Sequence, residues 1–114
     1  MSNNDGQRAE LEAQRYLEKH GLILIEKNWR TRFGEIDLIF KDTAMIVCVE
    51  VRMRSRREFG GAAESIDFRK QRRLLSAASL YSIRHPKMPL RLDAVLIDGL
   101  DPPKIHWIRD AIRE

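Results

Sequence analysis

The chain carries one cysteine, Cys48. No internal disulfide can form, and nothing marks an oxidising compartment. Cys48 lies within the apolar run "MIVCVEV" and reads as a small buried hydrophobe. No run approaches the roughly 18 apolar residues that a membrane span needs. The N-terminus "MSNNDGQRAE" is polar and has no apolar signal segment. These absences predict a soluble cytoplasmic protein without a membrane partner. Also missing are a P-loop, a dinucleotide fingerprint and a Ser-His-Asp arrangement. His20, His85 and His106 stand far apart, with no metal-ligand spacing. Aromatics make up 7% of the chain, and only Phe59 and Phe68 fall among the arginines, so base stacking is not indicated.

What is present is charge. Charged residues make up 33% of 114 residues and the formal net charge is +4, a balance that favours polyanionic partners, nucleic acid first. Hydrophobic residues make up 43%, enough for one modest core. The length suggests one domain. Residues 1–4 read as a disordered tail and 5–114 as the domain.

The pattern gives a short list of elements. Asp5 caps a predicted helix to about His20, with Ala9, Ala13, Tyr16 and Leu17 at helical spacing. Gly21 is its expected stop. Strands are predicted at Leu22–Trp29, Glu35–Lys41 and Met45–Met53, with "TRFG" as a turn and a tight hairpin after Asp42. Residues 54–65 read as a loop around Gly60-Gly61. Asp67 caps a second helix to about Arg84. Arg91–Ile97 is a fourth strand, and Lys104–Ile112 reads as a last edge strand. This order predicts a mixed α/β sheet flanked by helices.

Two of these strands carry acids where a sheet wants Val or Ile: "FGEIDLIF" holds Asp37 and "VEVRMRSR" holds Glu50. With Thr43 and Ala44 as a two-residue loop, Lys41 faces Ile46, Ile39 faces Cys48 and Asp37 faces Glu50. Side chains alternate faces, so Asp37, Glu50 and Arg52 share one face. Ile36, Leu38, Phe40, Val47, Val49 and Val51 share the other. Directly paired Cβ atoms lie about 4.5–5.5 Å apart. Two carboxylates that close repel, and a divalent cation between them removes the conflict. Mg²⁺ or Mn²⁺ suits such hard oxygen ligands. Arg52 projects the same way and could touch a phosphate on that metal. The plainer reading is an Asp37–Arg52 ion pair on a solvated face. Glu35 has the parity of Asp37 and is its understudy.

"GEIDLIF", "VEVRMRS", "FGGAAESI", "RKQRRLLSAASLY" and "RLDAVLI" together resemble the YraN-like family of small bacterial proteins, from about Ala9 to Trp107. That family is similar to the PD-(D/E)XK nuclease superfamily, in particular archaeal-type Holliday junction resolvases. The resemblance implies a restriction-endonuclease-like core of helix–three strands–helix–strand. It also implies a metal site of Glu10, Asp37 and Glu50, with the carbonyl of Val51 assisting. The superfamily's E-x-K falls on Glu50-Val51-Arg52, and its basic or Gln position on the second helix falls on Lys70 and Gln71. Arginine replaces the usual lysine at Arg52. Arginine holds phosphate well but is a poor general base, so metal binding survives this departure better than catalysis does. Leu92 stands where the family usually carries an aromatic.

Basic residues form two clusters: Arg52, Arg54, Arg56 and Arg57, then Arg69, Lys70, Arg72 and Arg73. The second opens a helix, where each exposed cation opposes the helix dipole by roughly 0.3–1 kcal/mol. A solvated charged face is the ordinary meaning of such runs. Their closeness to the acid pair favours backbone binding by Arg54, Arg56, Arg57, Arg69, Lys70, Gln71 and Arg73. The expectation is a metal-dependent endonuclease acting on DNA rather than RNA, with Mg²⁺ or Mn²⁺ as cofactor, and the resemblance implies branched DNA as substrate. Symmetric resolvase action implies a homodimer. Two alternatives stand: a catalytically inactive nuclease-fold module that recruits a partner to nucleic acid, and an interaction domain without nucleic acid.

Overall fold

The computed structural model describes residues 3–54 and 66–114. The elements run α1 (Asn3–Lys19), β1 (Ile23–Arg30), β2 (Glu35–Asp42), β3 (Met45–Arg54), α2 (Phe68–Ile83), β4 (Leu90–Asp98) and β5 (Lys104–Ile112). The strands form one five-stranded mixed sheet in sequential order. All neighbours are antiparallel except β3 and β4, which are parallel. Parallel neighbours need a crossover, and α2 lies within that connection.

The sheet has a core on each face. Ala9, Ala13 and Leu17 of α1 pack with Leu38, Phe40, Val47, Val49, Val95 and Ile97. Leu74, Ala77, Ala78 and Tyr81 of α2 pack with Ile39, Ile46, Cys48, Leu92 and Leu96. Strand alternation therefore feeds two helices at once, which explains the near-continuous apolar runs of β3 and β4.

Local chemistry sets the helix ends. α1 stops in a Schellman arrangement: Leu22 N–H donates to Leu17 O (3.2 Å) and Gly21 N–H to Glu18 O (3.0 Å). Gly21 has φ +91°, which glycine alone adopts without strain. Asp67 caps α2, its Oδ1 accepting from Lys70 N–H at 2.8 Å. α1 starts earlier than the sequence suggests. Asn3 and Asn4 are helical rather than part of a tail, and Asp5 lies in the first turn, where its charge suits the helix dipole.

The β2–β3 hairpin has the expected register, with Ile39 opposite Cys48 and Lys41 opposite Ile46. That regular register runs only to Leu38 opposite Val49. Beyond it the Val51 amide donates to the Asp37 side chain, Oδ2 at 2.9 Å. Ile36, expected to share a face with Leu38 and Phe40, instead packs in the α2-side core with Ile39. The departure from regular pairing at Asp37 accounts for the change.

No described helix is long and apolar enough to cross a membrane. The predicted turn at Gly60-Gly61 and the predicted contacts of Arg56 and Arg57 lie outside the described residues, as does the Arg54 side chain.

Candidate metal and phosphate site

Asp37 and Glu50 meet where β2 and β3 leave regular pairing. Glu50 is one of only two buried charged residues among those described, at 4% exposure. Its strand neighbour is Ala94 of β4, so it enters the α2 side of the sheet between apolar positions. A carboxylate there needs a partner. Lys70, on the first turn of α2, supplies one: its Nζ lies 3.4 Å from Glu50 Oε2. Glu50 Oε1 is buried and meets no hydrogen-bond donor among the described residues.

Burial and the charge of Glu50 push the Asp37 carboxyl up to about 8. The Val51 N–H and the Lys70 charge oppose the shift but do not cancel it. Glu50 raises the Asp37 carboxyl by its charge and by side-chain hydrogen bonding. Neither anion offers a donor, so either a proton sits between them or a cation does. Glu10 of α1 adds a third acid. Burial, then the charge of Asp37, raises its carboxyl, while a hydrogen bond from the Asn28 side chain lowers it. Asn28 has φ +51°, a left-handed conformation that Asn tolerates better than most residues.

The donor chemistry fits a hard divalent cation. Two carboxylates converge, one oxygen has no hydrogen-bond partner among the described residues, and one carboxyl is forced toward neutrality despite the Lys70 charge. No group of three or more His, Cys, Asp or Glu is placed to hold a metal ion among the described residues. Asp37 and Glu50 are the residues that would hold such a cation, and Glu10 is linked to Asp37 by charge.

The predicted residues separate into groups. Asp37, Glu50 and Lys70 come together, and Glu10 is linked to Asp37 by charge alone. Val51 contributes its amide to Asp37. Gln71 Nε2 donates to Ile66 O at 2.7 Å, tying the start of α2 to the residue before its cap. Arg52 keeps the parity of Glu50, lying opposite Leu96 as Glu50 lies opposite Ala94. Its side chain is exposed, and no ion pair joins it to Asp37 among the described residues. The plain Asp37–Arg52 pair is therefore absent, and the cation beside the acids comes from Lys70. Sequence spacing missed this, because Lys70 reaches Glu50 across a crossover. Arg69, Arg72 and Arg73 are exposed on α2, with the Arg72 guanidinium 5.9 Å from the Phe68 ring centre.

Tyr16, Trp29, Tyr81 and Trp107 pack against one another in pairs. Trp29 meets Tyr81 edge-on at 5.0 Å, and Tyr16 meets Trp107 edge-on at 6.4 Å. His20 Nδ1 lies 2.8 Å from Tyr16 O, and His106 lies 3.2 Å from Asp98. Glu35, the understudy, lies 3.5 Å from Arg30.

This geometry defines an α/β protein with an acid pair, Glu50 buried and Asp37 half-buried, at the divergent end of a hairpin. The family model described as "Uncharacterised protein family UPF0102" matches residues 9–97, and the chain belongs to that family. A UPF0102 protein of Methylobacillus flagellatus is 51% identical over 93% of this chain and 94% of its own length. One from Halorhodospira halophila is 50% identical over 96% of this chain and 87% of its own. A third, from Nitrosomonas europaea, is 49% identical over 99% and 97%.

Proposed function

We propose that the chain is a divalent-metal-dependent endonuclease of the PD-(D/E)XK type, acting on DNA, with branched DNA among its substrates. The observation that carries the reading is the Asp37–Glu50 pair: two converging carboxyls, one with an orphaned buried oxygen, beside an ammonium from α2. The element order of helix, three strands, helix and strand supports a restriction-endonuclease-like core, with β5 added at the edge. Fold likeness alone is a weak warrant for substrate, so the residues must carry the chemistry.

Asp37 and Glu50 would hold Mg²⁺ or Mn²⁺, and Glu10 would deepen the negative field around it. Such a cation polarises a phosphodiester oxygen and neutralises charge that builds on it. The chain's own groups orient the substrate. The Val51 amide fixes the Asp37 carboxylate. Lys70, held beside Glu50, places an ammonium where the phosphate would lie. Unlike Arg52, it is able to give up a proton when desolvated. Arg52, Arg69 and Arg73 would seat the flanking backbone by charge, without sequence choice.

A second reading has its own support. Lys70 already neutralises Glu50, as a residue would in a nuclease fold that binds nucleic acid without cutting it. A cleavage assay on single-stranded, duplex, flap and four-way DNA with Mg²⁺ or Mn²⁺ separates the two. Metal-dependent cutting by the wild type that is lost in Glu50→Gln is the expected result. Salt-sensitive binding without cutting would leave the binding module as the function.

A further inference from the structure

The turn between β1 and β2 reads in sequence as a plain connection, but the structure makes it part of the site's rim. The turn is held from within. The Thr31 hydroxyl accepts from Phe33 N–H (3.0 Å) and Gly34 N–H (3.2 Å) and donates to Gly34 O (2.9 Å). Thr31 N–H also donates to Gly34 O at 2.8 Å. The turn is docked on α2 as well. A Cβ at Gly34 would stand 3.7 Å from Arg73 Cβ, and Gly34 has φ +153°. A cavity of about 40 Å³ lies at this seam, lined by Gly34, Glu35, Lys70, Arg73 and Leu74. Lys70 in turn reaches Glu50. The seam therefore leads from the surface toward the acid pair.

Its arginines are left without counter-ions among the described residues. Elsewhere on the surface Arg8 pairs with Asp101, Arg84 with Glu26 and Arg113 with Asp110. Arg32 and Arg73 have no carboxylate partner among the described residues. Arg32 instead lies 4.9 Å from the centre of the Phe33 ring. An aromatic beneath a guanidinium orients it and leaves its N–H edge open for an anion.

We propose that the β1–β2 turn is a phosphate-binding jaw that closes against the start of α2. Arg32 and Arg73 would contact the sugar-phosphate backbone next to the phosphate held at the acid pair. The ligand class is nucleic-acid backbone, bound without base choice. This rests on the nucleic-acid reading above and extends it to Arg32, which lies outside the basic clusters, set against Arg73 of the second cluster.

The test is a salt series of fluorescence anisotropy on a labelled DNA duplex, without divalent metal. Each phosphate contact contributes about 0.9 to the slope of log K against log salt on duplex DNA. Arg32→Ala and Arg73→Ala should each lower the slope by about that amount, and the double variant by about twice it. Arg32→Lys should keep the slope, because it keeps the charge. Arg15→Ala, which removes an exposed charge from α1, should not change it. Wild-type binding with an unchanged slope in Arg32→Ala and Arg73→Ala would overturn the jaw and leave the nucleic-acid reading standing. Wild-type protein without salt-dependent binding would overturn both.

Discussion

The Lys70 ammonium stands 3.4 Å from Glu50 Oε2, joining a half-exposed helix side chain to a strand carboxylate of 6% side-chain exposure. The lysine does for Glu50 part of what a divalent cation would do for both acids. It neutralises one oxygen and leaves Oε1 without a partner among the described residues. A lysine in this position competes with a metal for the same carboxylate.

Lys70→Met should therefore act in two directions. Removing one partner of a fully buried pair costs 3–5 kcal/mol, and exposure of the Lys70 side chain reduces this to about 1 kcal/mol. Urea unfolding of the metal-free protein should show that loss. Mn²⁺ should bind the variant several-fold more tightly, because its internal competitor is gone. Weaker Mn²⁺ binding by Lys70→Met would mean that the lysine helps the cation rather than opposing it.

Stability without metal should fall as pH rises. Asp37 titrates at about 8 in the folded chain against an ordinary value of 3.8, so the folded state holds the proton more tightly. The stability this gives is complete below about pH 4 and is lost progressively toward about pH 8. Glu10 shifts in the same direction. The urea midpoint should be higher near about pH 5 than near about pH 8. Asp37→Asn, which cannot ionise, should flatten most of that slope. A slope unchanged in Asp37→Asn would place the titrating group elsewhere.

Asp93 is the other buried charge among the described residues, at 0% exposure. It accepts from Arg91 Nε at 2.9 Å, Trp107 Nε1 at 2.9 Å and the Asp110 amide at 2.8 Å. These bonds span the register shift between β4 and β5, where Asp110 takes φ +55°. Asp93→Ala leaves a mostly buried Arg91 without its near carboxylate and frees the edge strand. Equilibrium unfolding should show a loss of about 3 kcal/mol. A loss under about 0.5 kcal/mol, typical of plain surface sites, would contradict a structural role for this network.

Arg52→Ala should leave stability within about 0.5 kcal/mol, because its side chain is exposed. Mn²⁺ affinity should also hold, since no contact links Arg52 to the acids. DNA affinity should fall, as measured by anisotropy at low salt. A loss of Mn²⁺ binding would restore Arg52 to the metal site.

The sequence carried its local features openly. The hairpin register followed from the Thr43-Ala44 loop and strand alternation, both short-range signals. Gly21 and Asp67 marked the helix ends through backbone chemistry that any sequence shows. The start of α1 was less legible, because Asp5 serves as well inside a first turn as at a cap. Regular alternation also failed at Ile36, where the Asp37 carboxylate takes an amide from β3. The position of Lys70 depends on how a crossover helix docks on the sheet, and spacing along the chain does not encode that. The same holds for the Asn28–Glu10 bond and for the seam between Gly34 and Arg73.

The central claim is that Asp37 and Glu50 form a divalent-cation site, and calorimetric titration of Mn²⁺ into the metal-free protein tests it most directly. The account predicts binding at one site, weakened at least about tenfold, or about 1.4 kcal/mol, in Glu50→Gln. Wild-type protein that takes up no Mn²⁺, or a Glu50→Gln variant that binds it equally well, would contradict the claim.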